Sequence, residues 1–508
     1  MPKRLFFSVL WAAALAAAGC ATSHPGSLSP AERAVNRLPL APCTVEGTKE
    51  KLLCGKLSVW ENRTTHQGRK IDLNVVVVPA LEEPVAPDPV FALSGGPGEG
   101  AADQASGWAE EGGEIRRHRD IVLVDQRGTG SSNRLDCRLP KDPDNTQGYF
   151  EPGLPADAVA KCRTELEKIA DLTQYTTTIA ADDLDEVRAW LGYERINLEG
   201  GSYGTRMAQV YLRQYEPRVR SVLLSGVAGM NQHLPLWHAR DGQRSIDLLL
   251  GRCLAEPACA AAFPEIRSEL PAVLERLSRE RGRATVKNPD SGKRSEVTIP
   301  RDIFAEQLRF VLYSPRTATA APYVIHRAFE GDFGPFSRVA ILWEPGLRRA
   351  LAMGMHLSVT CAEDVPFIDP AQVDAAVANT SLGGFRVRQQ MAACAVWPRG
   401  EAPPGYHQPV RSAVPVLMVN GDLDPVTPPR WAEAALPHLS NGKHVVIAEG
   451  HHGLGGLANQ ECRERFTEQF LNEASVANLD TSCVGTMTRP PFITEAAGFE
   501  TLMKELED

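Results

Sequence analysis

The sequence predicts an α/β architecture: a mostly parallel, eight-stranded sheet with helices on both sides and a large helical cap inserted after the sixth main strand. Three observations carry it. Short β-branched runs recur along the chain, the later ones alternating with helical segments. Gly200-Gly201-Ser202-Tyr203-Gly204 follows the strand-like run 195–199 and opens a helix-like stretch at 205–215, which is the strand–turn–helix setting of an exposed nucleophile. Finally, roughly 180 residues of helical but strand-poor pattern separate the sixth run from the seventh.

The strand candidates are 57–60, 71–78, 90–93, 121–124, 196–198, 221–227, 414–419 and 445–447. Between the fourth and fifth, 181–191 reads as a helix, with Leu184, Val187, Trp190 and Leu191 on one face and Asp182 and Asp183 in its first turn. The insertion holds helix candidates at 240–255, 265–281 and 302–312 and a polar loop at 287–295. Inserted there, it would lie over the carboxyl ends of the strands, where open α/β sheets bind ligands. The resulting division is 1–20 leader, 21–42 tether, 43–230 first part of the sheet domain, 231–410 cap, and 411–508 second part of the sheet domain.

The chain has 508 residues, 43% of them hydrophobic, enough for at least one large core. A net charge of -9 without a dense Lys/Arg block argues against nucleic acid or an anionic membrane surface as the main partner. Lys3 and Arg4 precede an apolar run, 5–18, that is too short to span a bilayer but suits a signal peptide. The run ends in Ala17-Ala18-Gly19-Cys20, similar to a bacterial lipobox, in which cleavage leaves Cys20 as the lipidated amino terminus. Residues 21–42, rich in Ser, Pro and Ala, would then tether the folded part to that anchor. Of 11 cysteines, the 10 beyond Cys20 form an even set that an oxidising compartment would allow to pair, in a connectivity left open by sequence. Metal-ligand motifs such as C-x-x-C repeats or H-E-x-x-H do not occur, and the chemistry below requires no metal or cofactor.

A serine hydroxyl needs a base, and the base needs a carboxylate to orient it and stabilise its cation. In strand–turn–helix nucleophile folds the chain order is Ser, then Asp or Glu, then His. Ser202 is the candidate nucleophile. The run after strand 414–419 holds Asp422 and Asp424; Asp424 is the choice because Pro425 and the following turn would hold it rigid. The run after 445–447 holds His451 and His452, whose side chains must diverge; His452 is the chosen base and His451 the alternative. The backbone N–H of Tyr203 and one from Ser94-Gly95-Gly96-Pro97-Gly98, assigned to Gly96, would hold the oxyanion.

With Gly95 to Gly98, Asp125-Gln126-Arg127-Gly128-Thr129-Gly130-Ser131-Ser132, Gly200 to Gly204, and Gly421-Asp422-Leu423-Asp424-Pro425-Val426-Thr427-Pro428 in view, the chain resembles the prolyl iminopeptidase and tripeptidyl aminopeptidase family of α/β-hydrolases. The resemblance spans most of the chain after about residue 43. It implies an α/β-hydrolase fold and a serine exopeptidase acting on peptides with free N-termini. Ser94 stands where prolyl iminopeptidases have a histidine, which moves the expectation toward the tripeptidyl branch. Asp125, Gln126 and Arg127 read as scaffold beneath the site. Glu363 and Asp364, in the segment Cys361-Ala362-Glu363-Asp364, are expected to bind the substrate ammonium. The competing readings are a carboxylesterase or lipase on the same triad, and a non-catalytic surface lipoprotein. An epoxide hydrolase is disfavoured because that chemistry needs an aspartate at position 202.

Overall fold

The computed structural model describes residues 29–35, 37–137 and 144–507. Its main sheet contains β1 (Ala41–Thr44), β2 (Lys51–Trp60), β3 (Lys70–Val78), β4 (Val90–Leu93), β5 (Ile121–Val124), β6 (Ile196–Gly201) and β7 (Val219–Ser225). A separate antiparallel hairpin follows, β8 (Gly282–Lys287) with β9 (Arg294–Ile299), before β10 (Val416–Gly421) and β11 (Gly442–Ile447) return to the main sheet. The order is β1-β2-β3-β5-β4-β6-β7-β10-β11. Pairings from β1 through β5 are antiparallel, and those from β5 to β11 are parallel. Every residue of β4 and β5 is buried, as parallel strands covered on both faces must be.

The chain leaves β4 for β5 on one side and comes back to β6 on the other. A crevice therefore opens at the carboxyl ends of β4 and β6, the switch point where such sheets take ligands. Ser202 follows β6 at that crevice.

The sheet has nine strands where eight were expected. The additional strand, β1, is short and mostly exposed, so it carries little hydrophobic pattern; pairing with β2 and the Cys43–Cys54 disulfide hold it at the edge. The helix expected at 181–191 starts earlier, at Thr177–Trp190, because Thr176 caps it by accepting from the Ile179 N–H. Asp183 in that helix instead forms a two-oxygen pair with the buried Arg127, at 2.6 and 2.8 Å. The run 29–42 is not the bare tether its composition implied. Ser29 and Glu32 form a capping box on the short helix Pro30–Ala34, and Ala31, Ala34, Leu38 and Leu40 are buried with Leu53 and Leu73 of the sheet. Cys20 and the leader lie outside the described residues.

The cysteines pair with their sequence neighbours: Cys43–Cys54, Cys137–Cys162, Cys253–Cys259, Cys361–Cys394 and Cys462–Cys483. Such bonds persist in an oxidising compartment. Among the described residues no helix is long and apolar enough to cross a membrane.

The cap contains the expected helices as His238–Ala255, Ile266–Arg279 and Arg301–Val311. The polar segment 287–295 is the tip of the β8–β9 hairpin, where Asn288 accepts from the Asp290 and Ser291 amides. The cap is also less contiguous than an insertion at 231–410. Phe304 and Phe336 share one apolar cluster with Phe499 and Met503 of the C-terminal helix Ala496–Glu507, and with Tyr149 and Phe150. A second cluster joins Leu135, Val159 and Leu166, from the β5–β6 connection, to Met355, Leu357 and Trp397. Residues after 490 thus complete the cap, not the sheet domain.

Candidate active site

Ser202 adopts φ 54°, ψ -121° between β6 and the helix Tyr203–Tyr215, and its N–H donates to the Ser225 carbonyl at 3.0 Å. A positive φ on a side-chain-bearing residue is a strained conformation that only tight surroundings maintain. The flanking glycines show how. A methyl group on Gly204 would lie 2.1 Å from the Leu93 carbonyl oxygen, and one on Gly200 would lie 2.5 Å from the Gly204 oxygen. Gly201 has nothing within 4 Å of that position, so its side of the turn is open.

The acid and base arrive on neighbouring parallel strands. Asp424, fully buried after β10, accepts at Oδ1 from the Val426 and Thr427 amides at 2.8 Å each. Its Oδ2 accepts from Thr427 Oγ1 at 2.7 Å and faces His452 Nδ1 at 2.9 Å. Burial alone would raise the Asp424 pKa, but His452 and the Thr427 donors outweigh it and hold the carboxyl below its ordinary value. Burial likewise works against a charged His452, yet Asp424, with Glu99 beyond it, raises the imidazole above 6.5. With Nδ1 engaged, Nε2 is the nitrogen left to face the cavity that Ser202 and His452 both line.

His451 is turned away from the cavity. It is fully buried, its Nδ1 meets the Leu312 carbonyl at 2.7 Å, and it does not border the cavity. Asp422 points the other way, to Arg244 at 2.6 Å and Arg252 at 2.9 Å on the cap helix His238–Ala255. The predicted oxyanion residues Gly96 and Tyr203 both border the cavity, while the Gly95 amide is already occupied by Glu99 Oε2 at 3.1 Å. Gly96 has φ +106°, a conformation that favours glycine. Beneath this loop Asp125 accepts from Asn74, Ala102 and Ser131, which is the scaffold role read for it.

The expectation for Glu363 and Asp364 fails on geometry. Both are fully buried and neither lines the cavity. Glu363 accepts from the Thr177 amide at 2.6 Å, from Thr177 Oγ1 at 2.7 Å and from the Tyr406 hydroxyl. Asp364 is taken by Arg206 at 2.8 Å and by the Leu234 amide at 3.0 Å. Burial pushes Glu363 up to about 7 despite these donors. Glu363 thus ties the helix Thr177–Trp190 to the cap, and Asp364 ties the helix Tyr203–Tyr215 to it through Arg206, which are structural tasks.

The cavity, about 590 Å³, holds other charged groups that sequence reasoning missed. Glu99 directly follows Gly95 to Gly98, so its position was legible although its orientation was not. A methyl group on Gly95 would lie 3.1 Å from Glu99 Oε2 and 3.4 Å from Ser202 Cβ; one glycine separates the carboxylate from the nucleophile. Glu199, two residues before Gly201, also borders the cavity, and burial raises it to about 7. From the cap come Arg309, Arg386, His238 and His356, and Tyr313, whose ring lies edge-on to His452 at 5.0 Å. No local motif announces these cap residues.

A strained serine, an imidazole oriented by a buried carboxylate and a glycine loop at one switch-point crevice form the arrangement of a serine hydrolase. Residues 88–249 match the family model described as alpha/beta hydrolase fold, and residues 380–483 match that of TAP-like proteins. The chain is an α/β-hydrolase. Within that class it is similar to proline iminopeptidases and to a tripeptidyl aminopeptidase. It is 27% identical over 244 residues to the serine protease Hip1 of Mycobacterium tuberculosis, covering 45% of this chain and 46% of that protein. It is 30% identical over 148 residues to the proline iminopeptidase of Neisseria gonorrhoeae, covering 29% and 35%. To the tripeptidyl aminopeptidase of Streptomyces lividans it is 30% identical over 128 residues, covering 23% and 24%. The chain spans less than half the length of each of these relatives.

Proposed function

We propose that this protein is an exported serine exopeptidase that releases amino acids or short peptides from free N-termini through an acyl-enzyme at Ser202. The observation that carries the reading is the His452–Asp424 contact at 2.9 Å, with His452 and Ser202 lining one cavity. Ser202 Oγ attacks the scissile carbonyl while His452 Nε2 takes its proton. Asp424 holds the imidazole through Nδ1 and stabilises the cation that forms. The Gly96 and Tyr203 amides hold the tetrahedral oxyanion. His452 then returns the proton to the leaving amine, and water repeats the sequence to free the acyl group.

Restriction to free N-termini is supported by Glu99. With Glu363 and Asp364 occupied elsewhere, Glu99 is the carboxylate beside the nucleophile, placed to pair with a substrate ammonium. Export is supported by the five disulfides and by the leader pattern, and Cys20 is the proposed lipid attachment point. The test compares aminoacyl-arylamides, their amino-blocked forms and short-chain esters, together with fluorophosphonate labelling. Labelling at Ser202 and faster turnover of free-amine arylamides than of blocked ones are expected. An enzyme that cleaves only esters would be an esterase, and an unlabelled Ser202 would remove the hydrolase reading.

A further inference from the structure

The two cap arginines of the cavity are held on different terms. Arg309 and Arg386 both reach it from the cap. Arg309, on the helix Arg301–Val311, is already paired: Glu306 lies 2.5 Å from one amino nitrogen and the Tyr313 hydroxyl 2.9 Å from the other. Arg386, on the helix Phe385–Ala395, has no such partner. It donates to Gln390 Oε1 at 2.8 Å and forms no ion pair among the described residues. Glu306 is the nearest carboxylate to act on it and is already paired with Arg309, so two guanidinium groups share one negative charge.

The position of Arg386 is also fixed. Gln390 is fully buried and donates to Thr360 Oγ1 at 2.8 Å. His356 sits between Gln390, Arg386 and Pro97 of the glycine loop, and burial drives its pKa down to about 4, so it is neutral at pH 7 and supplies no second charge. His238, beside Arg309, Arg386 and His452, is likewise held well below its ordinary value by burial. An isolated cation at the edge of an enclosed site is costly unless a ligand anion completes it. Guanidinium groups recognise carboxylates with two parallel hydrogen bonds.

We infer that Arg386 is a carboxylate-binding residue in the roof of the cavity, and that the preferred substrates carry an anionic group as well as the free amine. The inference rests on the serine exopeptidase reading above. Glu99 beside Ser202 and Arg386 in the cap give the cavity a negative end and a positive end, suited to a short zwitterionic peptide or an acyl group with an acidic side chain.

The experiment uses matched substrate pairs on the full-length enzyme and on Arg386→Gln and Arg386→Lys. Para-nitrophenyl hemisuccinate against para-nitrophenyl butyrate reads charge recognition without any peptide bond. Glutamyl against glutaminyl arylamides reads an acidic side chain, and tripeptide acids against tripeptide amides read a free C-terminus. The wild-type enzyme should favour the anionic member of the ester pair, and of at least one peptide pair, by about tenfold or more in kcat/KM. Arg386→Gln should abolish that preference and Arg386→Lys should keep part of it, whereas Arg349→Gln, an exposed change, should leave the ratio alone. Should the Arg386 variants not fold, the wild-type ratios and competitive inhibition by glutarate still decide. A wild-type enzyme indifferent to charge and insensitive to glutarate overturns the inference, as does an Arg386→Gln enzyme with an intact ratio. Fluorophosphonate labelling of Ser202 and turnover of the neutral ester report separately on the serine chemistry.

Discussion

The sheet domain and the cap meet at one cavity but are built on different terms. Each candidate reactive group of the sheet domain sits beyond the carboxyl end of a parallel strand, within a few residues of it: Ser202 after β6, Asp424 after β10, His452 after β11. The cap assembles from pieces far apart in sequence, its clusters drawing mainly on residues 135–175, 239–397 and 492–503. The sheet domain therefore sets which bond-making groups meet, and the cap sets what reaches them. Damage to the first should remove chemistry, and damage to the second should alter selectivity or folding.

The largest expected effect tests the first half of that contrast. Ser202→Ala, or Asp424→Asn, should lower kcat by about 10⁴-fold while thermal unfolding stays near the wild-type value. The same assay carries a pH signature. Because His452 must be neutral to act and its pKa lies above 6.5, kcat/KM should fall as pH drops through a midpoint above the usual histidine value. A midpoint well below 6.5 would contradict the Asp424 contact. Next comes the turn. Gly204→Ala should destabilise by roughly 4 kcal/mol or prevent folding, while Gly201→Ala should cost less than about 0.5 kcal/mol, because only the former meets backbone. Equal unfolding midpoints for the two would show that the strand–helix junction is looser than described.

Legibility followed the same division. The candidate triad, the glycine loop and the scaffold run are legible as candidates because each lies in a compact run after a strand, where turn chemistry and the nucleophile geometry restrict residue type. The sequence favours His452 without excluding His451, since the Leu312 carbonyl that diverts the latter lies 139 positions away. Glu363 was misread for a related reason: its acidic segment looks available until Thr177 and Tyr406 are found on it. Strand β1 escaped because exposed edge residues leave no alternation, and the early helix Pro30–Ala34 because five residues are too few to show a period.

Cap stability offers the next test. Replacing Cys361 and Cys394 with alanine should cost about 3 kcal/mol, because the bond closes a long loop across the second cap cluster. Loss of activity should then precede loss of the sheet domain's circular dichroism on heating; coincident loss would make the two regions one cooperative unit. Glu363→Gln should cost roughly 2 kcal/mol near pH 5. Since the folded carboxyl is raised from 4.5 to about 7, the native state holds its proton more tightly and wild-type stability declines as pH rises across that window. The glutamine variant lacks that decline, so its deficit should shrink toward pH 8; a deficit that grows would reverse the assignment. Smallest of all, Glu99→Gln should raise KM for free-amine arylamides about tenfold and leave amino-blocked esters nearly unaffected. Equal changes on both would strip Glu99 of its role as amine anchor.

Two residues before the triad acid, Asp422 grips Arg244 and Arg252 of a cap helix, while Asp424 on the same short loop steadies His452. The loop is thus a hinge pin shared by both regions. A cap that swung wide to admit a folded protein would drag on the segment that keeps the imidazole aligned. On the exopeptidase reading proposed above, this coupling would favour ends thin enough to slip in while the lid stays down.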